Sequence, residues 1–142
     1  MNNFQEYFVD IYKYKYADFS GRARRSEYWY FVLFNILVLI GLAMVGGALA
    51  ANGNRILSRL GFIPYMIFAL AMIIPSLAVA VRRLHDTGKS GWMYLISFIP
   101  VIGSIILLVF FCTEGTPGTN KWGKNPKEID LDDVSDHLID TL

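Results

Sequence analysis

Residues 92–112 read "WMYLISFIPVIGSIILLVFFC", 21 residues without a charge, and what they form decides the fold. The hydrocarbon core of a bilayer is about 30 Å thick and takes about 20 apolar residues of α-helix at 1.5 Å each. By length the run is one membrane span. Pro100 and Gly103 stand at its middle, however, and allow a second reading. The run could dip in and return as a re-entrant hairpin, which is tolerable only where its backbone is buried in protein. Split at Pro100, each arm reaches only about 12–14 Å, so length favours a span.

Two more runs lie upstream. Tyr28–Gly53 and Leu60–Val81 carry no charge, and buried core helices rarely exceed about 15 residues without a charged face. The whole chain of 142 residues is 54% hydrophobic and 18% charged, with a mean hydropathy of +0.40. A soluble domain usually carries about a quarter charged residues. The expected fold is therefore an all-α integral membrane protein. It comprises a single polytopic membrane domain over residues 1–127, with an interfacial N-terminal helix and three transmembrane helices near 28–51, 60–81 and 92–112. Two spans and a re-entrant hairpin are the alternative. Residues 128–142 form an acidic tail.

The flanks agree with that plan. Phe4, Tyr7, Phe8, Ile11 and Tyr12 repeat at helix spacing, which predicts an amphipathic helix in the membrane interface. Ser26 is placed to N-cap the first span, Glu27 suits the positive end of its dipole, and Tyr28, Trp29 and Tyr30 form an interface belt. Ala43, Gly47 and Ala51 make a small-residue stripe along which a second helix can approach, and Asn35 is expected to hydrogen-bond to a neighbouring helix. Gly53 stops the first span. Pro64 falls near the start of the second, where it costs little. Pro75 is expected to kink that span by freeing the carbonyl four residues back, with Ser76 placed to satisfy it. In the tail, Leu131, Val134, Leu138 and Leu142 have the spacing of a short amphipathic helix with an acidic rim. Glu6, Asp10 and Asp18 precede an apolar run far longer than a signal-peptide core, so no cleaved signal is expected. The single cysteine, Cys112, excludes an intrachain disulfide framework.

Charge sets the expected orientation. Five Lys and Arg precede the first span, two lie in the first loop, three in the second and three after residue 112. The positive-inside rule puts the N-terminus in the cytoplasm in either arrangement. Three spans divide the basic residues eight inside to five outside, and the hairpin divides them eleven to two. Charge favours the hairpin where length favours the span.

The polar stretch "RRLHDTGKS", residues 82–90, concentrates the remaining chemistry. "TGKS" resembles the end of a nucleotide-binding loop, but Arg83 stands where that motif needs a glycine, and no strand precedes it. His85 and His137 are too far apart in sequence to suggest a metal site, and no cofactor is expected. His85 and Asp86 are weak candidates for a general base and its orienting carboxylate, because adjacent residues on a helix do not face each other. Arg22, Arg24, Arg25, Arg82, Arg83 and Lys89 all sit at membrane boundaries on one side. They are candidates for contacting anionic lipid headgroups or for a pocket holding a phosphate-bearing ligand. Glu27 and Asp86 are placed to pair with those arginines instead and lock the span ends together. A net charge of +1 carries no nucleic-acid signature.

Three segments then resemble a known family. "FSGRARRSEYWYFVLFN", the proline-bearing second span, and "RRLHDTGKSGW" running on to "GTPGTNKWGKNPK" are together similar to domain-of-unknown-function family 805, small bacterial inner-membrane proteins of the YhaH/YhaI type. The resemblance covers about residues 10 to 127 and leaves out the tail. It rests on Gly21–Arg25, on Arg82–Asp86 and on Gly115–Asn120. It implies a bacterial cytoplasmic membrane and this architecture, and no activity. The expected role is a non-enzymatic membrane adaptor or regulator whose arginine-rich cytoplasmic face contacts anionic lipid or partner proteins, among them other copies of the chain. An oligomeric channel or transporter component, and an enzyme acting on a lipid phosphate through His85, are the alternatives. The first of these finds no ionisable residue within the spans.

Overall fold

The computed structural model describes residues 14–51 and 53–128. The interfacial helix expected over residues 2–16 falls almost wholly outside them, and so does the amphipathic tail. Among the described residues every regular element is helical. We label α1 Arg25–Ala50, α2 Arg55–Ala71, α3 Ile73–Asp86 and α4 Ile102–Cys112, with a 3₁₀-helix over Gly91–Phe98 between α3 and α4.

Among the described residues, two stretches are long and apolar enough to cross a membrane. They are α1, with 26 residues, and the nearly continuous Arg55–Asp86, with 32. At 1.5 Å per residue the second is about 48 Å long, well over the hydrocarbon thickness. Its last residues, Arg82–Asp86, lie past the apolar stretch that ends at Val81.

The described chain divides into two compact units. One takes residues 14–17 and 29–77, the other residues 18–28 and 78–128.

In the first unit, α1 and α2 meet through glycine. A Cβ on Gly61 would lie 2.9 Å from the Cα of Gly46, and one on Gly46 would lie 3.1 Å from the Gly61 carbonyl oxygen. A Cβ at Gly61 would force the backbones apart, and one at Gly46 would be tightly crowded. The contact is one position away from the expected Ala43/Gly47/Ala51 stripe, and an added Cβ on Gly47 would meet nothing. The turn between these helices follows its sequence. Gly53 takes φ +73° and donates to the Ala50 carbonyl, and the Asn54 side chain caps α2 by accepting from Ile56 and Leu57. The Asn35 amide donates to the Phe31 carbonyl of its own helix at 2.8 Å.

Pro64 departs from expectation and Pro75 follows it. Because α2 begins at Arg55, Pro64 lies in the helix interior and not near its start. Pro75 does break the helix, at Met72 between α2 and α3. The carbonyl it leaves without a helical donor is that of Ala71, and the Tyr16 hydroxyl donates to it. Ser76 instead uses its backbone N–H, on Met72.

In the second unit, residues 92–112 do not form the single helix that a third span requires. The 3₁₀-helix starts at Ser90, whose hydroxyl accepts from the Trp92 N–H. At about 2.0 Å per residue its eight residues rise about 16 Å, and the 11 residues of α4 rise about as much. Between them the chain turns sharply. Val101 adopts φ 65°, ψ −63°, and the Ile102 N–H bonds back to the Pro100 carbonyl at 2.7 Å. This is a γ-turn in its strained form. Gly103 makes the reversal feasible, since any Cβ there would overlap the Ile96 carbonyl. Proline ends the first arm and glycine lets the second fold against it. The hairpin and α3 share a core of Ala80, Leu84, Leu107 and Phe111, flanked by Tyr28, Met93, Tyr94 and Phe110.

Helix α1 starts at Arg25, one residue before its expected Ser26 cap, and the Arg24 carbonyl accepts from the Tyr28 N–H. The "TGK" segment ends α3. Gly88 takes φ +75°, its N–H bonds to the His85 carbonyl at 3.0 Å, and the Lys89 N–H bonds to the Leu84 carbonyl at 2.9 Å. This is the Schellman pattern of a helix C-terminus. The glycine that resembles a phosphate loop is a helix stop.

Candidate functional site

The second unit gathers "GRARR", "RRLHD" and the segment after α4 around a buried charge network. Asp86 is its centre. Its Oδ1 accepts from Arg22 Nε at 2.9 Å, and its Oδ2 accepts from Arg83 Nη1. Side-chain exposures of 1% for Arg22, 0% for Arg83 and 6% for Asp86 show that all three are buried. Beside them, Arg82 donates to Glu27 at 2.8 Å, also buried.

Backbone carbonyls satisfy the other guanidinium donors of Arg22 and Arg83. Arg22 donates to Thr116 at 2.5 Å and to Gly118 at 2.7 Å. Arg83 donates to Phe111 at 3.2 Å, to Ala23 at 3.4 Å and to Thr113. The backbone adds two ties, from the Ala23 N–H to the Arg82 carbonyl at 3.1 Å and from the Thr116 N–H to the Asp86 carbonyl at 2.8 Å. Gly115 is required because Asp86 occupies the volume where its Cβ would sit. A buried charge is tolerable only when it is paired and hydrogen-bonded in this way. Burial pushes the Arg83 guanidinium pKa below its ordinary value, and the Asp86 carboxylate opposes that shift. Two donors of Arg82, Nε and Nη2, are buried without a partner among the described residues.

His85 belongs to the same wall. Its Nδ1 lies 3.2 Å from the Gly21 carbonyl, and its ring stacks on Trp122 with centroids 4.5 Å apart. Asn120 holds the turn in place by donating to the His85 carbonyl and to the Thr116 hydroxyl, both at 3.0 Å. Burial lowers the His85 pKa from its ordinary 6.5; the hydrogen bond with Gly21 opposes this and the Lys121 charge adds to it. The Asp86 carboxylate therefore orients two guanidinium groups and not the imidazole. Among the described residues, the His85 Nδ1 meets the Gly21 carbonyl and not the Asp86 carboxylate.

The six basic candidates separate by environment. Arg22, Arg82 and Arg83 are committed to internal partners. Arg25 is exposed and pairs with Glu114 at 3.1 Å. Arg24 is half-buried and donates to the Pro126 carbonyl at 2.9 Å. Lys89 lies over the Phe110 ring, 4.5 Å from its centroid. Sequence reasoning missed Glu114, Thr116, Asn120, Trp122 and Lys127. The glycines at 115 and 118 carried a signal of close backbone approach there, but not what approached.

With this geometry in view, comparison with known proteins is decisive. Residues 16–124 match the family model described as "Protein of unknown function (DUF805)". The chain belongs to this family. It is 47% identical over 125 residues to inner membrane protein YhaI of Escherichia coli K12, covering 86% of this chain and 96% of that one. It is 40% identical to inner membrane protein YhaH of the same strain, covering 86% and 97%. The uncharacterized protein YiiR matches at 28% identity, covering 78% and 87%. No solved structure matches. This DUF805 chain is thus a small inner-membrane protein, and the matched region takes in every residue of the buried network but none of the tail.

Proposed function

We propose that the chain is a non-enzymatic membrane adaptor or regulator with two spans, a re-entrant apolar hairpin and a cytoplasmic cap that contacts anionic headgroups or a membrane partner. One observation carries the reading. The network ties residues 22–27, at the start of the first long apolar helix, to residues 82–86, at the end of the second, and to residues 111–118, at the end of the hairpin. Residues bonded to one another lie on one side of a bilayer. This supports an even number of crossings between Arg22 and Asp86 and none between Asp86 and Thr116. The division of Lys and Arg, eleven to two, favours the cytoplasm for that side.

Adaptor chemistry follows from what is left exposed. Arg25, Lys121, Lys124 and Lys127 remain at the surface of the cap, and Lys89 is half-exposed. Each such residue adds about 1 kcal/mol of attraction at an anionic surface. The test is native mass spectrometry of protein purified from a membrane containing phosphatidylglycerol. Charge reversal of Lys121 and Lys124 together lowers the number of retained anionic lipids, while reversal of Arg55 and Arg59 in the first turns of α2 does not. Equal retention in both variants would sink the reading.

A further inference from the structure

The surface of the cap exposes Arg25, Lys121, Lys124 and Lys127. Two carboxylates stand among them, and both are engaged elsewhere. Glu114 pairs with Arg25 at 3.1 Å and also with Lys127. Glu128 accepts from the Gly118 N–H at 2.9 Å and from the Asn125 side-chain amide at 3.3 Å. Among the described residues, no carboxylate pairs with Lys121 or Lys124. Lys121 lies instead over the Trp122 ring, 4.1 Å from its centroid.

The chain continues from this surface into the opposite charge. Residues 129–142 hold Asp130, Asp132, Asp133, Asp136 and Asp140 and no Lys or Arg. They lie beyond the matched family region, which ends at residue 124. Their starting point is fixed. The Asn125 side chain accepts from the Lys127 N–H at 3.1 Å, the Asn125 carbonyl accepts from the Glu128 N–H at 3.0 Å, and Glu128 itself is tied to Gly118. An extended chain spans at most about 3.6 Å per residue, so Asp130 stays within about 7 Å of Glu128 and Asp136 within about 29 Å. Connectivity alone holds these carboxylates near Lys124 and Lys127 at an effective concentration on the order of millimolar.

We infer that the acidic tail, residues 129–142, docks on the lysine surface of its own cap and competes there with anionic headgroups. The inference rests on the proposed lipid contact, whose surface the tail would regulate. One exposed ion pair shifts an equilibrium only about twofold. Several pairs on a tethered segment act together, and each lysine gains from a headgroup about what it gains from a carboxylate. A membrane poor in anionic lipid therefore leaves the tail in place, and one rich in it displaces the tail. Salt screens both contacts. The cap then responds to membrane charge above a threshold that the tail sets.

The experiment uses the full chain, one copy per nanodisc of phosphatidylcholine. Cys112→Ser removes the native thiol, and His137→Cys carries a bimane label, which tryptophan quenches at contact range. Trp122 stands beside Lys121 as the quencher. The label should be quenched. Trp122→Phe, high salt, Lys121→Gln with Lys124→Gln, and phosphatidylglycerol in the disc should each restore its fluorescence. Asp130→Asn, Asp132→Asn, Asp133→Asn and Asp136→Asn together should restore it as well, and they should tighten phosphatidylglycerol retention about five- to tenfold, about twofold for each of three lysines. These four residues lie outside the buried network, and a gain in affinity cannot come from misfolding. A label that is bright in phosphatidylcholine, or quenching that survives the four Asn replacements, overturns the inference. Quenching that appears only when a disc holds two copies assigns the tail to a neighbouring chain and overturns it too. Docking is read without anionic lipid, so the two readings fail separately. Lysine-dependent retention of phosphatidylglycerol would survive a bright label. Quenching in phosphatidylcholine with retention indifferent to Lys121 and Lys124 would support docking and sink the lipid contact.

Discussion

Replacing Asp86 by Asn tests the buried network where it is most concentrated. The change keeps the side chain's shape. It removes the charge and one of two acceptor oxygens, and it turns an amide N–H₂ toward a guanidinium. The parent oxygens are both used, one by Arg22 at 2.9 Å and the other by Arg83, so the amide satisfies one arginine and opposes the other. Breaking a buried pair costs about 3–5 kcal/mol. Both arginines keep carbonyl acceptors, Thr116 and Gly118 for Arg22 and Phe111 and Thr113 for Arg83. The lower end, about 3 kcal/mol, is therefore expected, which is more than a hundredfold in the folded-to-unfolded ratio. Titration with dodecyl sulfate in maltoside micelles measures it, with helical circular dichroism for the whole chain. Trp122 fluorescence reports the cap, because that ring stacks on His85 next to the substitution. A loss under about 1 kcal/mol, with an unchanged Trp122 spectrum, would refute the claim that Asp86 holds the three segments together.

Other parts of the account predict distinct effects. Gly61→Val places a side chain 2.9 Å from the Gly46 backbone and should cost about 1–3 kcal/mol of overpacking; a neutral result in the same titration would remove the glycine contact from the account. Tyr16→Phe leaves the Ala71 carbonyl at the proline break without its hydroxyl donor. The expected loss is about 1 kcal/mol, and a wild-type unfolding midpoint would show that the bond contributes nothing. His85 has a lowered pKa, so on acidification the unfolded chain takes up its proton first. Its contribution is complete above the ordinary value of 6.5 and is lost as pH falls from there through the lowered folded pKa. Midpoints measured between pH 7.5 and 5.5 should decline for the parent and decline less for His85→Gln; equal slopes would contradict the assignment.

Much of the fold is legible in the chain because a bilayer imposes a simple rule of length and polarity. The uncharged runs beginning at Tyr28 and Leu60 became helices, and Gly53 and Pro75 end or break them as their backbone chemistry requires. The run at 92–112 obeyed a more local rule. A proline followed by a strained turn, and a glycine with no room for a Cβ, reverse the chain inside an apolar sequence of spanning length. At the site, the sequence shows which arginines cluster but not which carboxylate each one meets. Arg22 reaches Asp86 across 64 residues, and Arg82 reaches Glu27 across 55. Helix periodicity cannot place such partners. Glu114 and Lys127 sit in a turn-rich segment with no periodic pattern, so only the folded cap brings them to Arg25.

The claim with the widest consequences is that the segment after α4 lies on the same side as "GRARR" and "RRLHD". Fusing a topology reporter after Glu128 tests it directly, with green fluorescent protein to mark a cytoplasmic end and alkaline phosphatase to mark a periplasmic one. The network predicts bright fluorescence and an inactive phosphatase. An active phosphatase with a dark fluorescent protein would mean that residues 92–112 cross the membrane, and that the bonds from Arg22 and Arg83 to residues 111–118 do not exist in the bilayer.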